Sequence, residues 1–549
     1  FAQSSAPAQG SAATAPASAT SSPRPRIEKA ADLPTFTYRV SGQVEELVRS
    51  PERFAPLAAA VRRDVESVLA RYEIPDHSTH RGLLTQLALL DFLDGRYDAA
   101  LARAEEVRAL EDKPADRLIS GLRLRAMAQA AQAAGGPAGA GYAAAVAERL
   151  NALLEPLPFP VIANDVRELK AAAETAGEGR VIGRLREVLQ PIVERSGALS
   201  SDFTPTLLGA RFTLSSSLPL KATFVDTFSR YLAAHRVTKA DIWAARDVVL
   251  PPGDKRYRPV RVAVWDSGVD VSLFDAQLLK RADGQPVAIA HDKLSRPSKA
   301  LLAPLTPAVQ AKLPEMGALT KGFSDLESNI DSPEAEAVKK LLSNLAPADY
   351  KTAIEEIGMV GNWEHGTHVA GIALAGNPYA RLVVARLEFD YHLQPEPCPN
   401  KALALAEAAA ARRTVAFLRA QKVRVVNMSW GGSVLAIENA MEQCGIGKTP
   451  QERKARAREI FEIQKRSLTE AFRSAPEILF IAAAGNSNDD PAFVEDVPAA
   501  IVLPNMLTVA AVDLAGDEAS FTSYGKMVKV HANGYQVESY LPGGKRVAL

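Results

Sequence analysis

This 549-residue sequence has no long apolar run, no excess of one charge and very little cysteine. No run approaches the roughly 18 apolar residues that span a bilayer, so we expect no membrane-spanning helix. Lys plus Arg and Asp plus Glu each number 64, and this balance gives no reason to expect nucleic acid as a partner. Cys398 and Cys444 are the only cysteines, and they predict either one disulfide in an exported protein or two unpaired thiols.

The first residue is Phe1, and a stretch rich in Ala, Ser and Pro follows it. This composition predicts that residues 1–30 form a disordered linker after a cleaved export signal, although an arbitrary fragment start would look the same. We therefore expect an exported protein, either periplasmic or secreted.

Residues 31–250 carry Ala, Leu, Arg and Glu at helical spacing and predict a mostly α-helical N-terminal domain. Residues 94–101 resemble the turn between the paired helices of a tetratricopeptide repeat, and a similar segment begins 45 residues later, at Tyr142 after Tyr97. Because the usual interval is about 34 residues, an Ala-rich helical bundle is an equal alternative. We expect this domain to be either a pro-region or a docking domain for a protein partner.

Residues 251–549 alternate short apolar runs with helical stretches. Such strands, separated by helices, predict an α/β fold with a parallel sheet covered by helices on both faces. Functional side chains in these folds collect at the carboxyl ends of the strands. The predicted strands are Val260–Trp265, Leu382–Ala385, Val423–Met428, Ile478–Ala484 and Leu507–Val512, and the predicted helices are His365–Leu374, Ala402–Ala420 and Gln451–Arg473.

Two polar groups beside these strands are candidates for acid–base chemistry. Asp266 directly follows the first run, where it could orient an imidazolium or simply begin an Asp-Ser-Gly turn. His365 is expected at the N-terminus of a helix of small residues and has the chemistry of a general base. Glu364, His365 and His368 are also candidate metal ligands, but zinc-binding helices place two His four positions apart, and these lie three apart.

Two further strands end in small or polar residues. Ser429, Trp430 and Gly431 follow the third run, where an extended peptide could pair with them as an added strand. Asn486 follows the fourth run, and a side-chain amide held there could donate a hydrogen bond to a developing oxyanion. Taken alone, each segment is explained at least as well by an ordinary turn.

Together, these segments stand in the order Asp, His, Ser-x-Gly and Gly-Asn, and from Val260 to Leu549 the chain resembles the subtilisin-like serine peptidases, or subtilases. The stretch His-Gly-Thr-His-Val-Ala-Gly at 365–371 is highly specific. Asn-Met-Ser-Trp-Gly-Gly at 427–432 and Ala-Ala-Gly-Asn-Ser at 483–487 add to the resemblance. The fold it implies is a subtilisin-like parallel sheet, preceded here by the helical N-terminal region.

The resemblance also implies roles for residues. Asp266 would be the triad acid, His365 the general base and Asn486 the oxyanion donor, while Ser429, Trp430 and Gly431 would bind a protein or peptide substrate. Peptide bonds would be hydrolysed through an acyl-enzyme. No cofactor is required by this chemistry and no metal ligand is assigned. Calcium binding stays open, because no ligand spacing supports a particular set of residues.

The family's Gly-Thr-Ser-Met-Ala segment, which carries the nucleophilic serine, is absent. Ser520 and Ser523 fall in a stretch that matches another family element, and Ser539 lacks flanking small residues, so none is predicted to replace it. We expect the nucleophile just beyond Leu549, with the sequence truncated before it. The alternative is a catalytically inactive subtilase relative that binds peptides, and a metallohydrolase using the candidate metal ligands is a third function.

Asp266 and His365 are 99 residues apart, which is longer than the resemblance leads us to expect. The excess lies around Leu294–Glu356, which has helical spacing and acidic patches. We expect a solvated insertion there, in preference to a lid or a cation site. A second stretch that is longer than the resemblance leads us to expect lies at Ser433–Lys465.

Overall fold

The computed structural model describes residues 24–243, 247, 249–327 and 329–549, with the backbone alone at Glu327. Residues 1–23 of the expected linker therefore lie outside the described residues. Residues 24–30 pack against the protein instead of being disordered. The Ile27 side chain is buried, its N–H donates to the Glu73 carbonyl (2.9 Å), and Lys29 forms an ion pair with Glu495 (2.9 Å).

The regular secondary structure in the described part of the N-terminal region is helical, except for one short antiparallel strand pair, β1 and β2. Two π-helical turns, Leu185–Leu189 and Thr213–Ser217, continue neighbouring helices. The elements are β1 Thr37–Arg39, α1 Val44–Arg49, α2 Pro51–Arg71, α3 His77–Leu93, α4 Tyr97–Ala109, α5 Pro114–Ile119, α6 Leu122–Ala134, α7 Tyr142–Leu154, α8 Phe159–Glu174, α9 Glu178–Arg184, α10 Gln190–Ser196, β2 Ala198–Ser200, α11 Thr204–Phe212 and α12 Lys221–Ala234.

Helical hairpins form where the turn signals predict them. The turn at 94–96 joins α3 to α4, with Gly95 in a left-handed conformation (φ 74°), and a second loop joins α6 to α7. Two apolar cores hold these helices together, one among α1–α3 and α9–α11 and the other among α4, α6–α8 and α12. The region is therefore a helical assembly with cores of its own.

The second half of the chain is built on an eight-stranded sheet with strand order β10-β9-β8-β7-β3-β6-β4-β5. Every neighbouring pair is parallel except β4 and β5. All five predicted strands are confirmed, as β3 and β6–β9, and they are the five adjacent strands of the sheet. The strands are β3 Val260–Asp266, β4 Ala288–His291, β5 Pro297–Ser298, β6 Ala380–Arg386, β7 Val425–Met428, β8 Leu479–Ala483, β9 Met506–Val512 and β10 Val528–Asn533, followed by a separate antiparallel hairpin of β11 Glu538–Tyr540 and β12 Arg546–Ala548.

Helices cover both faces of the sheet, which confirms the predicted α/β subtilisin-like fold. Ala263 and Trp265 of β3 point into a core shared with α17–α19, whereas Val262 and Val264 point into a core shared with α16. This alternation is what a strand buried on both faces requires. The helices are α13 Pro307–Ala311, α14 Leu313–Glu327, α15 Pro333–Ser343, α16 Tyr350–Leu374, α17 Lys401–Ala420, α18 Val434–Gln443, α19 Pro450–Arg473 and α20 Pro491–Val494.

Helix α16 differs from its prediction. It begins at Tyr350, so His365 lies in its interior and not at its N-terminus. The insertion around Leu294–Glu356 is also not the solvated segment that was predicted. Its helices α13–α15 share an apolar core with Met359 and Val360 of α16. The helical insertion and the helix that carries His365 are thus one packed unit. Within the predicted acidic patch, Asp325 is buried and accepts hydrogen bonds from Lys321 and Ser332.

Cys398 and Cys444 form a disulfide, which resolves the choice left open by the sequence. It ties the start of α17 to the end of α18 and encloses β7 between them. Among the described residues, no helix combines the length and apolar character needed to cross a bilayer.

Candidate active site

Asp266 and His365 are brought into direct contact at the carboxyl end of β3. The Nδ1–H of His365 donates to Oδ1 of Asp266 at 2.6 Å. The carboxylate is fully buried, whereas 46% of the His365 side chain is exposed. A shielded carboxylate therefore fixes the ring while the other side of the ring stays reachable from solvent.

Small residues allow this contact. Gly366 packs so tightly on the turn after β3 that a Cβ there would lie 2.2 Å from the Gly268 carbonyl oxygen. The Gly366 N–H donates to Ser267 Oγ (3.1 Å), and Thr367 Oγ1 accepts from the Asp270 N–H (3.0 Å). The Gly-Thr of the motif thus holds α16 at the distance from β3 that the Asp–His hydrogen bond needs.

Electrostatics favour the protonated ring. Burial acts to lower the pKa of His365, but the hydrogen bond and negative charge of Asp266 outweigh it and raise that pKa above its usual value of 6.5. A base with a raised pKa accepts a proton more readily, and the adjacent carboxylate stabilises the imidazolium that results.

A cavity of about 510 Å³ opens beside His365. Ser429, Trp430 and Gly431 line it, so the structure gathers the predicted substrate-binding residues and the predicted base around one space. Its opposite wall is largely apolar and comes from the insertion and α16, with Met316, Leu319, Phe323, Ile357 and Val360; Phe389 and Leu549 complete the apolar lining.

Trp430 separates this cavity from a second one of about 260 Å³. Its indole N–H donates to the Trp265 carbonyl (2.8 Å), and the two indole rings meet edge to face at 5.4 Å. A Cβ at Gly431 would lie 2.3 Å from Oδ1 of Asp496, so a larger residue here would displace that carboxylate. The Ser429–Gly431 segment is therefore a fixed wall between two spaces that could each take a side chain.

Asn486 lies in the loop after β8 and is exposed. Since β8 pairs with β7 and both run in the same direction, this loop is at the same edge of the sheet as Ser429. The described lining of the His365 cavity does not include Asn486. Its assignment as oxyanion donor stays a prediction.

The three candidate metal ligands do not converge. Glu364 accepts from Thr320 Oγ1 (2.8 Å), His365 contacts Asp266, and Nε2–H of buried His368 donates to the Val547 carbonyl (3.1 Å). The described residues contain no group of three His, Cys, Asp or Glu side chains that could hold a metal. The geometry therefore gives no support to the metallohydrolase alternative.

The three serines considered as substitutes for the nucleophile all have other partners. Ser520 Oγ donates to Glu168 (2.9 Å), Ser523 Oγ to Asp489 (2.6 Å) and Ser539 Oγ to the His368 carbonyl (2.7 Å). Through Ser539 and His368, the β11–β12 hairpin is fastened to α16, and this places Leu549 at the His365 cavity.

Sequence reasoning missed the apolar wall contributed by α14. The insertion was recognisable by its length, and Met316, Leu319 and Phe323 lie on one face of a helical spacing. The local sequence of α14, however, does not indicate that this face is turned toward His365, because its direction depends on how α14 packs against α16.

A mostly parallel sheet with a buried Asp at the end of one strand, hydrogen-bonded to a His on a helix packed against that strand, is the arrangement expected of a subtilisin-like domain. The sequence pattern of the Subtilase family matches residues 258–547, just over half of the chain, and the chain belongs to this family. Alkaline protease 1 of Aspergillus flavus and of Aspergillus oryzae are each 28% identical to it over 216 residues, which are 38% of this chain and 42% of each relative. The chain thus matches less than half of the length of these relatives.

Similarity to solved structures is distant. A cold-adapted subtilisin-like serine proteinase aligns with 57% of this chain and 79% of its own, at 18% identity and a TM-score of 0.28. The PatG macrocyclase domain aligns with 55% of this chain and 77% of its own, at 14% identity and a TM-score of 0.30.

Proposed function

We propose that this protein is a serine endopeptidase that hydrolyses peptide bonds through an Asp-His-Ser triad and an acyl-enzyme. The observation that carries the proposal is the 2.6 Å hydrogen bond from His365 to the fully buried Asp266. Subtilase membership supports the same reaction class. The nucleophilic serine is proposed to follow Leu549.

Each residue has a defined task in this mechanism. Nε2 of His365 takes the proton of the attacking serine hydroxyl and later gives it to the leaving amine, while Asp266 holds the ring and stabilises its charged form. The peptide extends along Ser429–Gly431, and Asn486 donates a hydrogen bond to the oxyanion. Trp430 contacts both cavities and would divide the space available to substrate side chains.

Fluorophosphonate labelling of the full-length protein tests the proposal. We expect covalent labelling at one serine that is lost in His365→Ala, since an unactivated serine hydroxyl is a weak nucleophile. His392→Ala is a matched control, because His392 also donates to an aspartate at 2.6 Å, Asp390, but lies outside the described lining of the His365 cavity. Labelling that survives His365→Ala, or a full-length protein that binds peptides tightly without labelling or turnover, would favour the inactive, peptide-binding alternative.

The pH dependence gives a second measurement. The rate kcat/KM should rise as the pH passes the raised pKa of His365, because only the neutral ring accepts a proton. Asp266→Asn removes the group that raises this pKa, so the inflection should move to lower pH while the rate falls by about 10⁴.

Export from the cytoplasm is part of the proposal. The Cys398–Cys444 disulfide supports it, because disulfides persist mainly in oxidising compartments. Proteins or peptides are the proposed substrates, and calcium binding is left to direct measurement of metal content.

A further inference from the structure

The helical N-terminal region reaches the loop that carries Asn486. We propose that Lys113 and Asp116 of this region position residues 485–490, called here the oxyanion loop, so that the helical region is a working part of the active enzyme and not a pro-region to be removed. The inference rests on the proposed role of Asn486.

Lys113 makes the first contact between the helical region and the segment beside the oxyanion loop. It lies just before α5 with only 3% of its surface exposed, and its Nζ donates to the carbonyl oxygens of Ala519, Ser520 and Thr522, each at 2.8 Å. Three acceptors use all three donors of the ammonium group. A buried ammonium is costly unless it is satisfied in this way, so Lys113 fixes the geometry of the 519–522 segment.

The 519–523 segment is in turn bonded to the oxyanion loop. The Asn488 N–H donates to the Phe521 carbonyl and the Ser523 N–H donates to the Gly485 carbonyl, both at 2.9 Å. Ser523 Oγ also donates to Asp489 at 2.6 Å. Whatever holds residues 519–523 therefore holds the loop on both sides of Asn486.

Asp116 contacts the loop directly. It accepts a hydrogen bond from Nδ2 of Asn488 at 3.1 Å, and the Asn488 backbone is left-handed, with φ 50°. A side-chain contact that favours this uncommon backbone conformation restrains the turn that follows Asn486. Glu168 of α8 adds a third contact by accepting from Ser520 Oγ (2.9 Å).

These contacts matter because Asn486 itself is exposed. Its placement depends on the restrained residues around it. Displacement of a catalytic group by about 1 Å can cost on the order of 100-fold in rate. Removing the helical region would take the Lys113 donor from three carbonyl oxygens and the Asp116 acceptor from Asn488, and mobile water would replace these fixed contacts.

Hydrogen–deuterium exchange of the full chain tests the link without relying on activity. In Lys113→Met, which keeps the aliphatic stem, we expect the Asn488 and Ser523 amides to exchange at least about 10-fold faster. Lys239→Met is the matched control, since Lys239 binds Asp513 (2.6 Å) and Asp517 (2.9 Å) across the same interface and, among the described residues, forms no hydrogen bond to the oxyanion loop. Unchanged exchange in a folded Lys113→Met protein overturns the proposal. If that variant does not fold, Asp116→Ala takes its place with the Asn488 amide as the readout.

Kinetics of the full-length protein separate this inference from the function on which it rests. Asn486→Ala should lower kcat by about 10²–10³ with little change in KM. Lys113→Met should lower kcat by about 10-fold or more, and should cost little further in the Asn486→Ala background, because coupled residues are not additive. If Asn486→Ala leaves kcat unchanged, the oxyanion assignment fails. If Asn486→Ala acts as expected but Lys113→Met behaves like Lys239→Met, the positioning role fails.

Discussion

At the residue scale, the absence of a side chain at Gly366 decides whether Asp266 and His365 can meet. Because a Cβ at this position would lie 2.2 Å from the Gly268 carbonyl oxygen, the helix would have to move away from β3. The three nearest atoms are all backbone atoms of Gly268, so no flexible side chain can give way. The glycine at position 366 is therefore needed for packing as much as for the chemistry of the motif.

We expect Gly366→Ala to lower stability by about 1–3 kcal/mol, the usual cost of overpacking, and to abolish fluorophosphonate labelling. Gly361→Ala is the control on the same helix, since a Cβ there meets nothing within 4 Å and Ala favours a helix by about 0.5–1 kcal/mol. Melting temperatures of the two variants should move in opposite directions. Equal shifts would contradict the packing argument.

Glu364, next to His365, gives a pH-dependent prediction. Burial raises its pKa from 4.5 to about 7, although the Thr320 hydrogen bond opposes the rise. The folded protein therefore binds the Glu364 proton more tightly than the unfolded chain does. The stabilisation of the fold that results is fully present below pH 4.5 and is lost as the pH rises through about 7. At about 1.4 kcal/mol per pKa unit, the loss is on the order of 3 kcal/mol.

Glu364→Gln should remove this loss, so its melting temperature should match the wild type near pH 4.5 and exceed it at pH 8. The exposed Glu148→Gln on α7 serves as the control for a change in net charge. A difference between Glu364→Gln and wild type that is the same at both pH values would contradict the assigned pKa.

At the element scale, α14 is a wall of the His365 cavity. Phe323 faces the His365 cavity, so Phe323→Ala should enlarge the cavity and raise kcat/KM for peptides with bulky apolar residues relative to small ones, by about 10-fold. Leu341→Ala on α15 is the matched control, because Leu341 packs on the same core without lining the cavity. Equal effects of the two variants on this ratio would mean that the insertion acts only through stability.

The elements differ in how far the sequence predicts them. The five central strands were recognisable because a strand buried on both faces is a near-continuous apolar run, as in Val260–Trp265, which only Arg261 interrupts. The edge strands β5 and β10, and β4 next to the edge, were not predicted, since they are short or more exposed. The start of α16 at Tyr350 was missed because the motif marks His365 and carries no signal for the helical turns before it.

At the scale of the whole molecule, the disulfide closes a loop that contains Ser429, Trp430 and Gly431. Its cysteines are 46 positions apart, and a loop of this length corresponds to about 4 kcal/mol of stabilisation in the chain-entropy treatment. The double variant Cys398→Ser and Cys444→Ser should therefore unfold at a lower guanidinium concentration. Reduction of the wild type should reproduce the shift, and an unchanged midpoint in both experiments would contradict it.

The contacts of Lys113 also set an order of assembly. Its carbonyl partners lie 406 to 409 positions further along the chain. Because a chain is synthesised from its N-terminus, the helical region can form its own cores before the carbonyl acceptors of Lys113 have been synthesised. Under the proposed arrangement, the oxyanion loop becomes ordered only after residues 519–522 have been synthesised and docked. A peptidase assembled in this order would complete its catalytic centre only after the helical region is already folded and protected from cleavage.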